Sequence, residues 1–180
     1  DGSRGAMCGN GIRCVGKYVY DRKLTRKTCL TIDTDAGPRG LELAVRGGKA
    51  EQVTVDMGQA ILYPEVELEA MGEQYTVHQV GVGNPHAVIF CPDPEGVRLE
   101  ELGPVLECHP NLRERSNVEF VSCQDGHDLH VRVWERGSGI TLACGTGACA
   151  AFEAARRQEL CGSRAEARLP GGTLGLEWRE

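Results

Sequence analysis

The chain has 180 residues, of which 41% are hydrophobic and 26% charged, a composition typical of one ordinary globular domain or two small ones. Its formal net charge of −6 argues against nucleic acid as a partner, because nucleic-acid-binding proteins concentrate Lys and Arg on one surface. No apolar run approaches the roughly 20 residues of a membrane-spanning helix, and the first eleven residues lack the regions of a signal peptide. We therefore expect a cytoplasmic protein that does not bind a membrane.

The first predicted element is a helix from Gly11 to about Arg22. Ile12, Val15 and Val19 follow one another at helical spacing, and Cys8 then lies just before or within the first turn. Three strand-like runs follow, separated by the turn signals AGPRG and RGGK, and they predict an antiparallel meander. The runs are Thr28 to Thr34, Gly40 to Arg46 and Gln52 to Asp56.

A second unit is predicted to start near Gly58. Its strands and one short helix alternate with glycine-rich turns, a pattern typical of a mixed but largely antiparallel sheet. A longer alanine-rich helix, from Gly145 to Leu160, is apolar around most of its circumference and is best buried inside a sheet. The fold class is therefore predicted as α+β. The other elements are strands Tyr75 to Val80, His86 to Phe90, Asn117 to Ser122, Leu129 to Glu135, Ala165 to Leu169 and Thr173 to Trp178, and the helix Val97 to Glu107.

Nine cysteines are present, an odd number without a CxxC pair, and reduced thiols are therefore expected. Cys108, His109 and Cys123 lie near one another, with two more histidines following, but their spacing matches no standard zinc-finger pattern. We predict no metal site. Most of a group of five are expected to be small buried hydrophobic residues: Cys29, Cys91, Cys108, Cys123 and Cys161.

Two cysteines differ from the rest because each precedes a Gly-polar-Gly run at the start of a predicted helix. They are Cys8 in MCGNG and Cys144 in ACGTG. A thiol at a helix N-terminus lies among free N–H groups at a positive dipole end, so its pKa is expected to fall below about 8.5. The pair forms a faint internal repeat and suggests a mechanism that uses two thiols, at equivalent points of two similar units facing a cleft.

Two flanking thiols suit the inversion of a carbon that bears hydrogen. One group removes the proton from one face, the other delivers a proton to the opposite face, and no cofactor is needed. At the α-carbon of an amino acid, charge develops on the carboxylate, and helix N-termini stabilise such charge. The side chains of Asn10 and Thr146 can add hydrogen bonds.

Four runs together resemble the diaminopimelate epimerase family: MCGNGIRC, GNPH at 83–86, RSNVEF at 115–120 and WERGSGITLACGTGACAA at 134–151. They follow the family's order and span almost the whole chain. The two cysteine motifs alone would leave a proline racemase-like isomerase open as an alternative. The resemblance implies two pseudo-symmetric units, each a largely antiparallel sheet curled around a central helix. It also implies a homodimer and cofactor-independent interconversion of the small-molecule substrates LL- and meso-diaminopimelate in lysine biosynthesis.

Carried over residue by residue, the resemblance makes Cys8 and Cys144 the catalytic acid and base. His86 and Glu135 match polar residues that help to set the protonation of the thiols. Arg136 suits a substrate carboxylate and Glu135 an amine. The full set of implied substrate-binding residues is Gly9, Asn10, Asn84, Asn117, Glu135, Arg136, Gly145 and Thr146.

The sequence also departs from the family pattern. Ile140 stands where the family usually has an acidic residue, and Ala87 follows GNPH in place of a frequent cysteine. Residues 1–57 are expected to be an incomplete N-terminal epimerase unit, and residues 58–180 a C-terminal unit without its final return strand. We therefore predict weak or absent activity for this chain alone, and a non-catalytic remnant is an alternative.

A further alternative is a dinucleotide-binding module. The run GTGACA from Gly145 to Ala150 satisfies the GxGxxA fingerprint, and Glu166 follows about 20 residues later. No βαβ alternation follows the run, and the preceding residues do not predict a clear parallel strand. This alternative therefore rests on one short motif.

Overall fold

The computed structural model describes residues 7–179, which divide into two compact units. The first unit ends at Gln59 and the second begins at Ala60. The expectation that residues 1–57 are an incomplete N-terminal epimerase unit and residues 58–180 an incomplete C-terminal one stays a prediction.

From residue 7 to residue 59, the first unit contains one helix and one antiparallel sheet. Helix α1 spans Gly9–Asp21, and the strands β1 (Cys29–Thr34), β2 (Gly37–Arg46) and β3 (Lys49–Val55) pair in the order β1-β2-β3. The predicted helix and meander are confirmed. The helix starts at Gly9, two residues before the predicted position, because the glycine-rich run is already helical.

Helix α1 packs closely against the sheet of the first unit. Ile12 and Gly16 form its buried face, and a Cβ on Gly16 would lie only 2.7 Å from Cδ2 of Leu41 on β2. Met7, Ile12 and Leu41 form the buried core here. The absence of a side chain at position 16 therefore sets how closely the helix approaches the sheet.

The second unit is built on one large mixed sheet. Its elements are β4 (Ile61–Leu62), β5 (Val66–Ala70), β6 (Glu73–Gly81), β7 (Pro85–Phe90), α2 (Leu99–Glu107), β8 (Asn117–Gln124), β9 (Asp128–Glu135), β10 (Gly139–Ile140), α3 (Gly145–Arg157), β11 (Arg164–Leu169) and β12 (Gly172–Glu177). The strands run in the order β12-β11-β9-β8-β7-β6-β4, with β10 paired to β9 and β5 to β6. The pairs β7–β8 and β9–β11 are parallel and the others antiparallel.

Helix α3 is central to the second unit. It contacts β6 near one end of the sheet, β12 at the other end and the strands between them, so the sheet curls around the helix. Small residues such as Ala148, Ala151 and Ala155 are completely buried and permit this close packing. The predicted α+β class and the buried alanine-rich helix are confirmed. The predicted helix end at Leu160 is wrong, because the last turn closes at Gln158 and Glu159 adopts a positive φ of 58°.

The two faces of the sheet have different contents. Helix α2 packs with Ala87 and Ile89 of β7 and with Val118 and Phe120 of β8 in one apolar core. Because side chains alternate along a strand, the remaining residues of β7 and β8 face the opposite side, where α3 lies. These residues include His86, Asn117 and Glu119. Three polar side chains are thus directed toward the central helix.

Within the described part of the chain, no helix combines the length and the apolar character needed to cross a membrane.

Candidate active site

Cys8 and Cys144 occupy the same local position in their two helices. Each is the N-cap residue with extended backbone, at φ −130° and ψ 111° for Cys8 and φ −129° and ψ 112° for Cys144. Each sulfur accepts a hydrogen bond of 3.3 Å from the backbone N–H three residues later, from Gly11 and Gly147 respectively. The prediction that both thiols lie at helix N-termini is confirmed.

The surroundings of the two thiols differ. Cys8 is exposed, whereas Cys144 is only 5% exposed. Burial raises the pKa of Cys144 to about 12, and the carboxyl groups of Glu119 and Glu135 add to the shift. The expectation of a lowered pKa is therefore wrong for Cys144, because desolvation outweighs the hydrogen bonds from Thr146 and Gly147. At neutral pH Cys144 is a thiol.

A chain of hydrogen bonds connects Cys144 to other residues of the second unit. Its sulfur lies 3.4 Å from Oγ1 of Thr146, which accepts a hydrogen bond of 3.3 Å from Nδ2 of Asn84. Oδ1 of Asn84 lies 2.9 Å from Nε2 of His86, and Nδ1 of His86 lies 2.7 Å from Oε1 of Glu119. The structure thus places four of the predicted site residues in one connected network, with Glu119 at its far end.

Glu119 was not among the residues predicted from the sequence. Its side chain and that of His86 are both 0% exposed. The available signal was an acidic residue between two apolar residues of a strand, two positions after Asn117 and hence on the same face. A buried carboxyl group requires a partner, and His86 on the neighbouring parallel strand supplies it.

Asn117 connects two parts of the site. Its Oδ1 accepts a hydrogen bond of 2.9 Å from the backbone N–H of Arg136, and its Nδ2 donates one of 3.0 Å to the carbonyl of Pro85. The side chain is only 5% exposed, and both ends of its amide contact protein. The structure therefore shows Asn117 fixing the turn at Arg136, while its predicted substrate contact stays a prediction.

Glu135 and Arg136 lie where β9 ends. Oε1 of Glu135 accepts a hydrogen bond of 2.6 Å from the hydroxyl of Thr141, and Nη1 of Arg136 donates one of 3.1 Å to the carbonyl of Arg115. Neither residue is buried. Their side chains are thus oriented by protein contacts at an accessible position.

The buried carboxylate of Glu107 binds both sides of the turn at Arg136 and Gly137, where β9 ends. Its Oε1 accepts from the N–H of Gly137 at 3.3 Å, and its Oε2 accepts from Nε1 of Trp134 at 2.7 Å. Arg115 also pairs with it. Burial alone would raise the pKa of Glu107, but the hydrogen bonds from Trp134 and Arg115 outweigh it and lower the pKa. An ionised Glu107 therefore stabilises residues 134–137 through these hydrogen bonds.

The remaining predicted residues lie at the two helix starts. Gly9 is buried in the first turn of α1, and Oδ1 of Asn10 accepts a hydrogen bond of 2.8 Å from Arg13. Gly145 and Thr146 are buried in the first turn of α3. Each glycine and its polar neighbour thus directly follow the cysteine that caps the helix.

A metal site and a dinucleotide site would each need a different arrangement of residues. Among residues 7–179, no group of three or more His, Cys, Asp and Glu side chains is arranged to hold a metal ion. A dinucleotide fingerprint requires a parallel strand directly before its helix. Here the short strand β10 precedes α3, and β10 pairs antiparallel with β9. The surroundings of the GTGACA run therefore do not support a dinucleotide site.

Comparison with solved structures defines the class of fold. The chain matches a probable proline racemase of Agrobacterium radiobacter K84 with a TM-score of 0.77 at 16% identity, over 93% of this chain and 58% of that one. It also matches a hydroxyproline epimerase of Agrobacterium vitis with a TM-score of 0.75 at 18% identity, over 96% of this chain and 59% of that one. The chain therefore has the fold of this racemase and epimerase class, and it spans less than two thirds of either solved chain.

Sequence comparison identifies the family. The family model for diaminopimelate epimerase matches residues 1–63 and 78–180. The chain is 46% identical over 193 residues to the diaminopimelate epimerase of Acetivibrio thermocellus, covering 100% of this chain and 69% of that protein. It is 47% identical over 182 residues to that of Bacteroides thetaiotaomicron, covering 100% and 67%. The chain belongs to the diaminopimelate epimerase family, a family of isomerases, and the resemblance seen in the four motifs is confirmed.

Proposed function

We propose that this chain carries the two thiols of an epimerase that interconverts LL- and meso-diaminopimelate, the reaction named for its relatives. The observation that carries the proposal is the matched capping of α1 and α3 by Cys8 and Cys144, with equal backbone angles and equal hydrogen bonds. In this reaction one thiolate removes the α-proton and the other thiol delivers a proton, so the number of protons on the enzyme is unchanged.

The state of Cys144 supports an assignment of roles. Because its pKa is raised to about 12, Cys144 rests as a thiol and donates the proton in one direction of the reaction. Cys8, which is exposed, removes the α-proton in that direction. The roles exchange in the reverse direction, as microscopic reversibility requires.

The first turns of the helices support the handling of charge. The N–H groups at Gly9 and Asn10 and at Gly145 and Thr146 belong to helix N-termini, which stabilise negative charge on a carboxylate. No cofactor enters this scheme. Among the accessible groups, Arg136 suits the second carboxylate of a diamino acid and Glu135 suits its ammonium group.

We also propose that the enzyme works in the cytoplasm. The nine cysteines, all within the described residues, are not joined in disulfides, which suits the reducing cytoplasm, where lysine biosynthesis would use the product. A homodimer is proposed from the family resemblance alone. Analytical ultracentrifugation measures the mass in solution and decides between monomer and dimer.

Chromatographic separation of the stereoisomers tests the proposed activity. We expect the protein to convert LL-diaminopimelate into the meso form at the weak rate predicted from its sequence, and to leave L-proline unchanged. The variants Cys8→Ala and Cys144→Ala should lose conversion by at least about 100-fold, the usual scale for a proton-transfer group. The matched variants Cys14→Ala and Cys149→Ala, which change cysteines within the same two helices, should keep it. Conversion that survives the loss of Cys8 or Cys144 contradicts the proposal.

A further inference from the structure

The hydrogen bonds of His86 determine which of its two ring nitrogens carries a hydrogen. With its Nδ2 donating to Thr146, the amide of Asn84 is oriented so that Oδ1 faces Nε2 of His86. A carbonyl oxygen only accepts, so Nε2 must carry a hydrogen. Nδ1 then faces Oε1 of Glu119 at 2.7 Å, and one further proton must lie in that hydrogen bond.

Burial makes this arrangement stringent. Both side chains are 0% exposed, so no bulk water can replace a missing partner. Oε2 of Glu119 is buried without a hydrogen-bond partner, and the carboxyl group therefore depends on its single bond to His86. A pair that holds one proton between its two groups has no net charge, which is the state that a buried site tolerates best.

The same carboxyl group lies against the N-terminus of α3. Oε1 of Glu119 is 2.6 Å from the point where a Cβ on Gly147 would stand, and the sulfur of Cys144 is 3.2 Å from that point. The two atoms are therefore no farther apart than these two distances added together. Glu119 thus approaches Cys144 directly on one side and is connected to it through His86, Asn84 and Thr146 on the other.

We propose that Glu119 is a positioning residue that fixes His86 with its hydrogen on Nε2, and that His86 thereby orients Asn84, Thr146 and the thiol of Cys144. Glu119 does not touch the substrate in this scheme. It acts by supplying the hydrogen bond at Nδ1, which leaves Nε2–H as the donor to Asn84. The proposal rests on the proposed role of Cys144 in proton transfer.

Two variants of Glu119 separate a hydrogen-bonding role from simple packing. In Glu119→Gln the amide N–H can still donate to Nδ1, so His86 keeps its orientation. In Glu119→Leu the volume is similar but the hydrogen bond is lost. We expect kcat to fall at least about 10-fold in Glu119→Leu, with KM changed less than about 2-fold, and most of the loss to be restored in Glu119→Gln.

The control is Ser122→Ala, another buried polar residue of β8, which should leave both constants unchanged. A folded Glu119→Leu protein with normal kcat overturns the proposal. A Glu119→Gln protein as slow as Glu119→Leu also overturns it.

A measurement on the unchanged protein removes any dependence on the folding of variants. In protein labelled with ¹⁵N-histidine, the signal of His86 can be assigned by its absence in His86→Gln. We expect the spectrum to show a hydrogen bound to Nε2 of His86. An unprotonated Nε2, with the hydrogen on Nδ1 alone, overturns the proposal. Because this readout does not require turnover, it separates a failure of this inference from a failure of the proposed activity.

Discussion

The carboxyl group of Glu119 fills the space that a side chain on Gly147 would need. Its Oε1 lies 2.6 Å from the Cβ position, a distance that real contacts do not reach. Gly147 also supplies the N–H that donates to the sulfur of Cys144. The glycine after the ACGT run therefore allows a buried carboxyl group and a buried thiol to share one helix terminus.

Replacing this glycine should be costly. We expect Gly147→Ala to lower the free energy of unfolding by about 1–3 kcal/mol, because overpacking displaces Glu119 or α3. The matched control is Gly11→Ala, the equivalent position in α1, where the nearest atom to the new Cβ is the sulfur of Cys8 at an ordinary 3.4 Å. Urea denaturation measures both variants. Equal stability in the two variants would show that the contact with Glu119 exerts no strain.

The two capping thiols should react at different rates. Cys144 is buried and its pKa is raised to about 12, so its thiolate fraction at pH 8 is small. We expect iodoacetamide to label Cys8 at least about 10-fold faster than Cys144 at pH 8, and the labelling of Cys144 to accelerate as the pH rises toward 10.

Peptide mass spectrometry resolves the two sites, and unfolded protein serves as the control in which they react alike. Fast labelling of Cys144 at pH 8 would contradict its assignment as the resting thiol.

Glu107 should contribute stability that depends on pH. The hydrogen bonds from Trp134 and Arg115 lower its pKa below the usual 4.5, so the ionised group stabilises the folded state. We expect Glu107→Gln to lower the free energy of unfolding by about 1–3 kcal/mol at pH 7. The difference from the unchanged protein should be complete above pH 4.5 and should shrink as the pH falls below it.

The exposed Glu100 on the same helix provides the control, and Glu100→Gln should show little difference at any pH. Denaturation curves recorded between pH 3 and 7 give the comparison. A deficit in Glu107→Gln that stays constant over this range would rule out a contribution from the ionised carboxylate.

The packing of α1 depends on Gly16. A methyl group at this position would meet Cδ2 of the buried Leu41 at 2.7 Å, and we expect Gly16→Ala to destabilise the first unit by about 1–3 kcal/mol. Hydrogen exchange should show the loss at the amides of α1. Gly40→Ala in β2 is the control, because its Cβ would lie at an ordinary 3.7 Å from Asp56. Unchanged protection of α1 in Gly16→Ala would show that Leu41 moves without cost.

Much of the fold could be predicted from local pattern. The meander of the first unit and the hairpins β8–β9 and β11–β12 have alternating apolar residues and glycine turns, which are local signals. The strands β4, β5 and β10 were not predicted. Two of them have only two residues. The sequence of β5, VELEA, alternates regularly, but Glu and Ala have low strand propensity. The parallel pairing of β7 with β8 is a long-range choice that no local signal fixes.

In the candidate site too, local features could be predicted and long-range ones could not. The positions of Cys8 and Cys144 as helix caps follow from the adjacent glycine-rich runs and were predicted. The raised pKa of Cys144 was not, because it depends on burial by strands that are distant in sequence. Glu119 likewise becomes a site residue only when β8 pairs with β7 and brings it to His86.

The central claim is that Cys8 and Cys144 divide the proton transfer between them. One removes the α-proton and the other delivers a proton to the opposite face. The most direct test is a reaction of LL-diaminopimelate in deuterated water, stopped before substantial conversion and analysed by mass spectrometry. We predict one deuterium at the inverted α-carbon of the meso product and none in the recovered substrate. The proton that is removed stays on one sulfur, while the other sulfur, exchanged with solvent, delivers a deuteron. Product that retains the original hydrogen, or deuterium that appears equally in substrate and product, would indicate a single acid-base group and contradict the account.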